Sequence, residues 1–284
     1  LMNLDGTGPY KFVSYEDGVG IECEAFDKYF KGEPAIKHWY GKIIADNNSR
    51  AMAIESGDID LIETHTNVPA SNLPMLQEAN GVVVEKTDFE KVGSIILNNK
   101  LPELSDKRVR KALAYAVDYD WLIETITNGA GYATECAYLG HKTTGFSSAS
   151  SITHYNYDLE KAKELMAEAG YEDGFPVDIW VDNTTIEMQG AEFFKQQMAQ
   201  INIDVNVVPM ESTTIADMTS LPEEENEVQI WYVNWSSGSY EADGSMRNIL
   251  HGEKFPPSGY NTAFWNNAEF NKLLDDALLS ADTE

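Results

Sequence analysis

The sequence predicts an α/β protein. Three observations carry that prediction. Short runs rich in β-branched and aromatic residues alternate with stretches of helical period, most of those helical stretches open on Ser, Asp or Asn and several close on Gly, and no internal repeat or low-complexity tract breaks the alternation.

Taken in order, Gly6-Thr-Gly-Pro-Tyr10 reads as a turn, residues 10–15 as a strand, Glu16-Asp-Gly18 as a second turn and residues 21–25 as a strand, which together make a hairpin. Residues 38–44 are a further strand. Asn47 or Asn48 caps a helix over 50–56, and Gly57 suits the left-handed position just past its end. Asp58-Ile-Asp-Leu-Ile62 then reads as a returning strand that completes a β-α-β-like unit, followed by a short helix over 71–79 and a strand over 82–85.

The second half is more strongly patterned. Residues 93–98 read as a buried strand, and Pro102 keeps the loop after it out of helix. Ser105 or Asp106 then caps a helix whose apolar stripe is Val109, Leu113, Ala116 and Val117. A helix over 121–127 follows, then a loop-like stretch over 130–153 rich in Gly, Ser and Thr. Asp158 caps a helix with the stripe Ala162, Leu165, Met166 and Ala169, stopped by Gly170. Strands over 177–181, 203–207 and 228–233 and helices over 186–200 and 267–280 complete the reading.

Composition narrows the functional classes. The 47 acidic and 20 basic residues give a formal charge of −27, which repels phosphate backbones and argues against nucleic acid as a partner. Fourteen tyrosines and six tryptophans fit aromatic-lined surfaces, and no stretch approaches the ~18 apolar residues of a membrane span. Cys23 and Cys136 fit no metal motif and are read as two unpaired thiols, a single bridge being the alternative. His38, His65, His141, His154 and His251 are scattered, with no pair at metal-ligand spacing. Neither a metal nor a cofactor is expected, and nothing resembles a nucleophile elbow, a P-loop or a complete dinucleotide-binding fingerprint. Asp58 and Asp60 share one face of their strand, and Glu241 and Asp243 form a second acidic pair. Paired carboxylates can do acid–base work, but in so acidic a chain adjacent pairs arise by chance, and no catalytic residue is assigned.

The most informative stretch is Trp231-Tyr-Val-Asn-Trp235-Ser-Ser-Gly-Ser-Tyr-Glu-Ala-Asp-Gly244. A strand runs into Trp235 and opens into Ser, Gly and acidic residues, a composition suited to an aromatic wall with hydroxyls and free backbone N–H groups beside it. The alternative is a buried tryptophan followed by an ordinary turn.

Leu97-Asn-Asn99 to Pro102, with Asp106-Lys-Arg-Val-Arg-Lys-Ala-Leu-Ala-Tyr-Ala-Val-Asp118, resembles the signature of the extracytoplasmic solute-binding proteins that serve peptide-type (dipeptide, oligopeptide, nickel, glutathione) ABC transporters, solute-binding family 5. The Gly6–Tyr10 turn, Ser56-Gly-Asp-Ile-Asp-Leu61 and the helix ending at Gly170 extend the likeness over nearly the whole chain. It implies a fold like the type II (cluster C) periplasmic binding proteins. Residues 1–92 would form part of a first α/β lobe and residues 93–284 most of a second, the chain being an internal fragment. It further implies a non-catalytic subunit, outside the cytoplasm (a cell-surface lipoprotein or a free periplasmic protein), monomeric, which captures a peptide or peptide-like solute between two lobes and delivers it to ABC permease subunits. The rivals are an extracellular hydrolase using the paired carboxylates and a sensor lobe of the same fold.

The same resemblance supplies the site. Trp235 would be the apolar wall, and Ser236, Ser237 and the Gly238 backbone would hydrogen-bond the solute. Asn183, Thr184 and Thr185 would approach from the neighbouring strand. Asp243 or Glu241 would hold a cationic group or cap the next helix, the cap being preferred. Gly238 stands where dipeptide binders carry the aspartate that holds the α-ammonium, and Asp182-Asn-Thr-Thr185 lacks their arginine, so a free dipeptide fits poorly. Trp235-Ser-Ser, Glu241-Ala-Asp243 and Phe255-Pro-Pro-Ser-Gly-Tyr-Asn261 resemble the branch that includes glutathione-type binders, with Tyr240 replacing a usual glycine.

Overall fold

A computed structural model of the chain describes residues 6–62, 68, 70–85, 91–127, 131–134, 138–146, 154–236, 238 and 240–280. The chain divides into two units, residues 1–86 and 87–284.

In the first unit, β1 (Tyr10–Glu16), β2 (Gly20–Ala25) and β3 (His38–Lys42) form an antiparallel sheet in that order. The turn between β1 and β2 closes through Gly18 at φ +70°, a conformation that glycine adopts without steric cost. Helix α1 (Asn47–Ser56) is capped by Asp46, not by Asn47 or Asn48: its carboxylate accepts the Ser49 N–H at 2.7 Å. Gly57 ends it in the left-handed conformation. The expected strand over 58–62 does not form. The amides of Asp58 and Ile59 both donate to the Ala53 carbonyl, so they close the helix instead of pairing with a neighbour. No β-α-β unit therefore arises here, and Asp58 and Asp60 do not share a strand face. A short helix α2 (Leu73–Glu78) follows, and residues 82–85 remain without a strand partner.

The second unit is built on a four-stranded sheet of order β4-β7-β5-β6, with β4 (Val92–Leu97), β5 (Pro176–Asp182), β6 (Asp204–Met210) and β7 (Ile230–Trp235). Strands β6, β5 and β7 run parallel, and β4 runs antiparallel to β7 with Ile96 opposite Trp231. Strand β6 is at the edge, which lets it run past Val207 through Pro209.

Pro102 opens a one-turn helix, α3 (Pro102–Ser105), instead of excluding one. At the first helical position its missing N–H would have had no partner, and the turn carries Leu104 fully into the core. Asp106 then caps α4 (Lys107–Tyr115) by accepting the Arg108 N–H at 2.8 Å. Next come α5 (Tyr119–Thr127) and α6 (Leu159–Ala169), the latter held at its start by Asp158 and at its end by Gly170 at φ +82°. Helix α7 (Thr185–Ala199) links β5 to β6, and α8 (Ser212–Thr219), α9 (Ala242–Leu250) and α10 (Ala268–Leu279) complete the unit.

The alternation of each strand divides the apolar residues between two faces. Ile95, Leu97, Ile230 and Tyr232 join Val177, Ile179 and Val181 against α4, α6 and α7, where Val109, Leu113, Met166, Phe194 and Met198 fill the main core. The residues between them, Ile96, Trp231, Val233 and Trp235, turn to the other face and pack with Tyr138 and Ile249. The Asn98 that ends β4 is buried. Its Nδ2 donates to the Val228 carbonyl at 2.7 Å while its Oδ1 accepts the Lys100 N–H, so one amide fastens the strand end to the approach to β7.

Candidate functional site

The parallel strands β5 and β7 end at the same edge of the sheet, the position at which open α/β sheets take up ligands. Strand β7 ends on Trp235. Trp180 pairs with Trp231, and the same register carried on places Asn183 level with Asn234. The expected wall and the expected neighbouring loop therefore meet at one edge.

Trp235 is half-buried. Its Nε1–H donates to the Ser245 Oγ at 3.1 Å, and its ring lies 5.3 Å from that of Tyr260. With Trp231, Val233, Ile96 and Tyr138 the two rings border a pocket of about 60 Å³. Ser236 is exposed, and its Oγ accepts the Gly238 N–H at 3.4 Å to close a turn. Gly238 has φ +70°, and a Cβ there would meet open space. Ser237 lies outside the described residues, as do Cys136 and His65; Cys23 is a free thiol.

At the end of β5, the Asn183 N–H donates to the Met210 carbonyl and its Nδ2 to Glu211 Oε1 at 2.8 Å, so this amide links β5 to β6. Thr184 occupies the N-cap position of α7 with no side-chain capping bond, and Thr185 is the first residue of that helix. Ser212 donates to the Asp182 carboxylate.

Asp243 lies in the first turn of α9 and receives the Arg247 Nε–H at 3.0 Å. Arg247 also donates to Asp275 Oδ1 at 2.6 Å and to the Leu274 carbonyl, which ties α9 to α10. Neither acid caps the helix through its side chain: Glu241 sits at the N-cap position without a capping bond. Asp58 accepts the hydroxyl of Ser56. Tyr240, in the place of a usual glycine, has φ +58°, the left-handed conformation that glycine adopts most easily. Its carbonyl accepts the Thr144 N–H at 2.8 Å and the Thr144 carbonyl accepts from Ala242, so residues on both sides of Glu241 are pinned to a neighbouring loop.

Tyr260 lies in the stretch Phe255–Asn261 but has no role in the sequence reading, and the sequence did not point to Ser245, Tyr138 or Glu187. Glu187, in the first turn of α7, accepts the Asn234 Nδ2–H at 2.6 Å; burial raises its carboxyl pKa, opposed by that hydrogen bond. The Tyr232 hydroxyl beside it is pushed up to about 12 by burial and then by the Glu187 charge. Among the described residues no group of three His, Cys, Asp or Glu is placed to hold a metal. Nor is any helix among them long and apolar enough to cross a membrane.

An α/β sheet with an aromatic wall at the carboxyl ends of its parallel strands is the frame of a ligand-binding domain. The chain belongs to the bacterial extracellular solute-binding proteins, family 5, whose model matches residues 2–256. It is 28% identical over 280 residues to the glutathione-binding protein GsiB of Pectobacterium atrosepticum, covering 98% of this chain and 53% of that protein. It is also 28% identical over 289 residues to the protein of that name from Salmonella typhi, covering 98% and 54%. The chain thus spans about half the length of these curated relatives. Its structure is similar to that of the periplasmic binding protein DppA from Helicobacter pylori in complex with the peptide STSA, with TM-score 0.84 and 25% identity over 98% of this chain and 52% of that one. The oligopeptide-binding protein AppA from Bacillus subtilis, in complex with a nonapeptide, shares the fold at TM-score 0.83 and 24% identity, over 97% and 55%.

Proposed function

We propose that the chain is part of the solute-binding subunit of an ABC importer. The subunit works outside the cytoplasm without chemistry of its own and hands a peptide or peptide-like solute to membrane permease subunits. Residues 93–284 act as one lobe of a cleft that closes by a hinge, and residues 1–92 contribute to the other. The observation that carries this reading is Trp235 at the shared carboxyl edge of β5 and β7, next to the exposed turn of Ser236 and Gly238. Trp235 provides the apolar wall, and Ser236, Ser237 and the Gly238 amide bind the solute's polar groups. Asn183, Thr184 and Thr185 approach from β5. Asp243 acts indirectly, through Arg247 and the placement of α9.

The relatives' names support a peptide-like solute, glutathione for GsiB and the peptide STSA for DppA. The hydrolase reading is disfavoured because Asp243 is engaged by Arg247 and Asp58 and Asp60 lie on no common strand face. The test is mass spectrometry of the small molecule released on denaturing the full-length protein purified without added ligand. A peptide or glutathione-like compound that is lost in Trp235→Ala supports the reading. A sugar or phosphorylated metabolite overturns the solute class.

A further inference from the structure

The pocket beside Trp235 has ten other lining residues, and none carries a charge at neutral pH. Most of the polar groups among them are already engaged. The Trp235 Nε1–H donates to Ser245 Oγ and the Trp231 Nε1–H to Thr262 Oγ1 at 2.9 Å. The Thr219 hydroxyl donates to the Ile215 carbonyl at 2.8 Å and the Ser220 hydroxyl, just past the end of α8, to that of Ala216 at 2.6 Å. Tyr138 is buried. Ser245 is fully buried, and Thr262 is nearly so. Tyr260 is 59% exposed.

Beyond the hydroxyls of Tyr260 and Thr262, a polar group entering such a space finds few partners for the water it gives up, whereas an apolar group loses nothing. At about 60 Å³ the pocket is well below the roughly 150 Å³ of a dry cavity that accepts benzene. Resting on the solute-binding reading, we propose that this pocket takes one small uncharged aliphatic side group of the solute, of up to about three heavy atoms. Ser245 and Thr262 are the positioning residues. By holding both indole N–H groups they keep the rings in the orientation that shapes the pocket.

The probes are Ala-X-Ala tripeptides titrated by calorimetry into the full-length protein, with X being Gly, Ala, aminobutyrate, Val, Phe, Lys or Asp, and the same substitutions then placed at the first and third positions. At one position, affinity should climb roughly fourfold per added carbon as far as Val, then fall for Phe and vanish for Lys and Asp. Val233→Phe, which fills the pocket, should remove the ladder. Ser245→Ala should flatten it and shift the tryptophan emission by freeing an indole N–H, and Ser245→Thr should restore both. Tripeptides that bind with no such ladder at any position overturn the inference and leave the solute-binding reading standing. So does a ladder unchanged in the folded variants. If neither variant folds, the ladder in the unaltered protein decides. Failure of every tripeptide to bind overturns both the inference and the peptide reading.

Discussion

Asn98 shows how much one side chain can hold. Buried at the end of β4, it donates to Val228 and accepts from Lys100, so truncation leaves both backbone groups without a partner. Asn98→Ala should cost about 1–3 kcal/mol of unfolding free energy, measured by urea denaturation. Asn98→Asp should cost at least as much, because a carboxylate cannot donate to the Val228 carbonyl. Glu187 behaves in the opposite sense. Burial raises its carboxyl pKa, so its contribution to stability is largest below the ordinary carboxylate range and is lost as pH rises through the raised value. Glu187→Gln keeps an acceptor for Asn234. It should therefore melt higher than the unaltered protein at pH 7 and level with it once both are below the carboxylate range, as thermal melts across pH would record. Asn98 belonged to a recognisable sequence signature. Glu187 did not, because what distinguishes it is partial burial, which no local pattern of residues encodes.

At the scale of the element, caps were legible where one acidic residue stands just before a strong apolar stripe, and not before α1, where Asp46 and neither Asn47 nor Asn48 reaches the helix. Asp158 was readable from the following apolar stripe, and its carboxylate accepts the Lys161 N–H at 2.9 Å. Asp158→Ala should cost about 1 kcal/mol without disturbing the sheet, seen as lost amide protection confined to the first turn of α6. Elements failed to be legible where a distant partner decides. The run Asp58-Ile-Asp-Leu-Ile62 has strand composition, but strands need neighbours, and its first amides are taken by α1. Helix α8 was missed because it is short, and α9 was expected only as a helix of unstated extent after Glu241 or Asp243, because Gly244 and its polar residues blur the stripe. With its extent went Ser245. Helix α10 has no fully buried residue and is tied to α9 by Arg247, whose guanidinium holds the Asp275 carboxyl below the ordinary range, chiefly through their hydrogen bond. A lowered carboxyl pKa contributes stability that is present above the unfolded value and lost as pH falls through the folded one. Hydrogen exchange at low pH should therefore show α10 losing protection as Asp275 protonates, and Arg247→Met should produce that loss already at pH 7.

At the scale of the whole molecule the two units differ in how much they bury. Among its described residues the first unit buries only Gly20, Ala51 and Leu76, while Phe30, Leu61 and Val83 stand more than 70% exposed. The second carries a continuous core on both faces of its sheet. A stretch of fewer than 90 residues with so little burial cannot offset its chain entropy. Residues 87–284 alone should unfold cooperatively in urea, and residues 1–86 alone should show no cooperative transition by circular dichroism. A cooperative melt from the smaller piece would contradict this.

The α/β class, the capped helices and the strand entering Trp235 were determined by sequence alone, because periodicity and capping are properties of neighbouring residues. The family resemblance worked in the same way, through contiguous motifs. Tertiary structure decided which strands exist, since pairing joins residues far apart in the chain. It also decided that α9 brings Ser245 to Trp235 and that α8 closes the pocket with hydroxyls already engaged. A pocket is the space left between elements, and only their packing defines it.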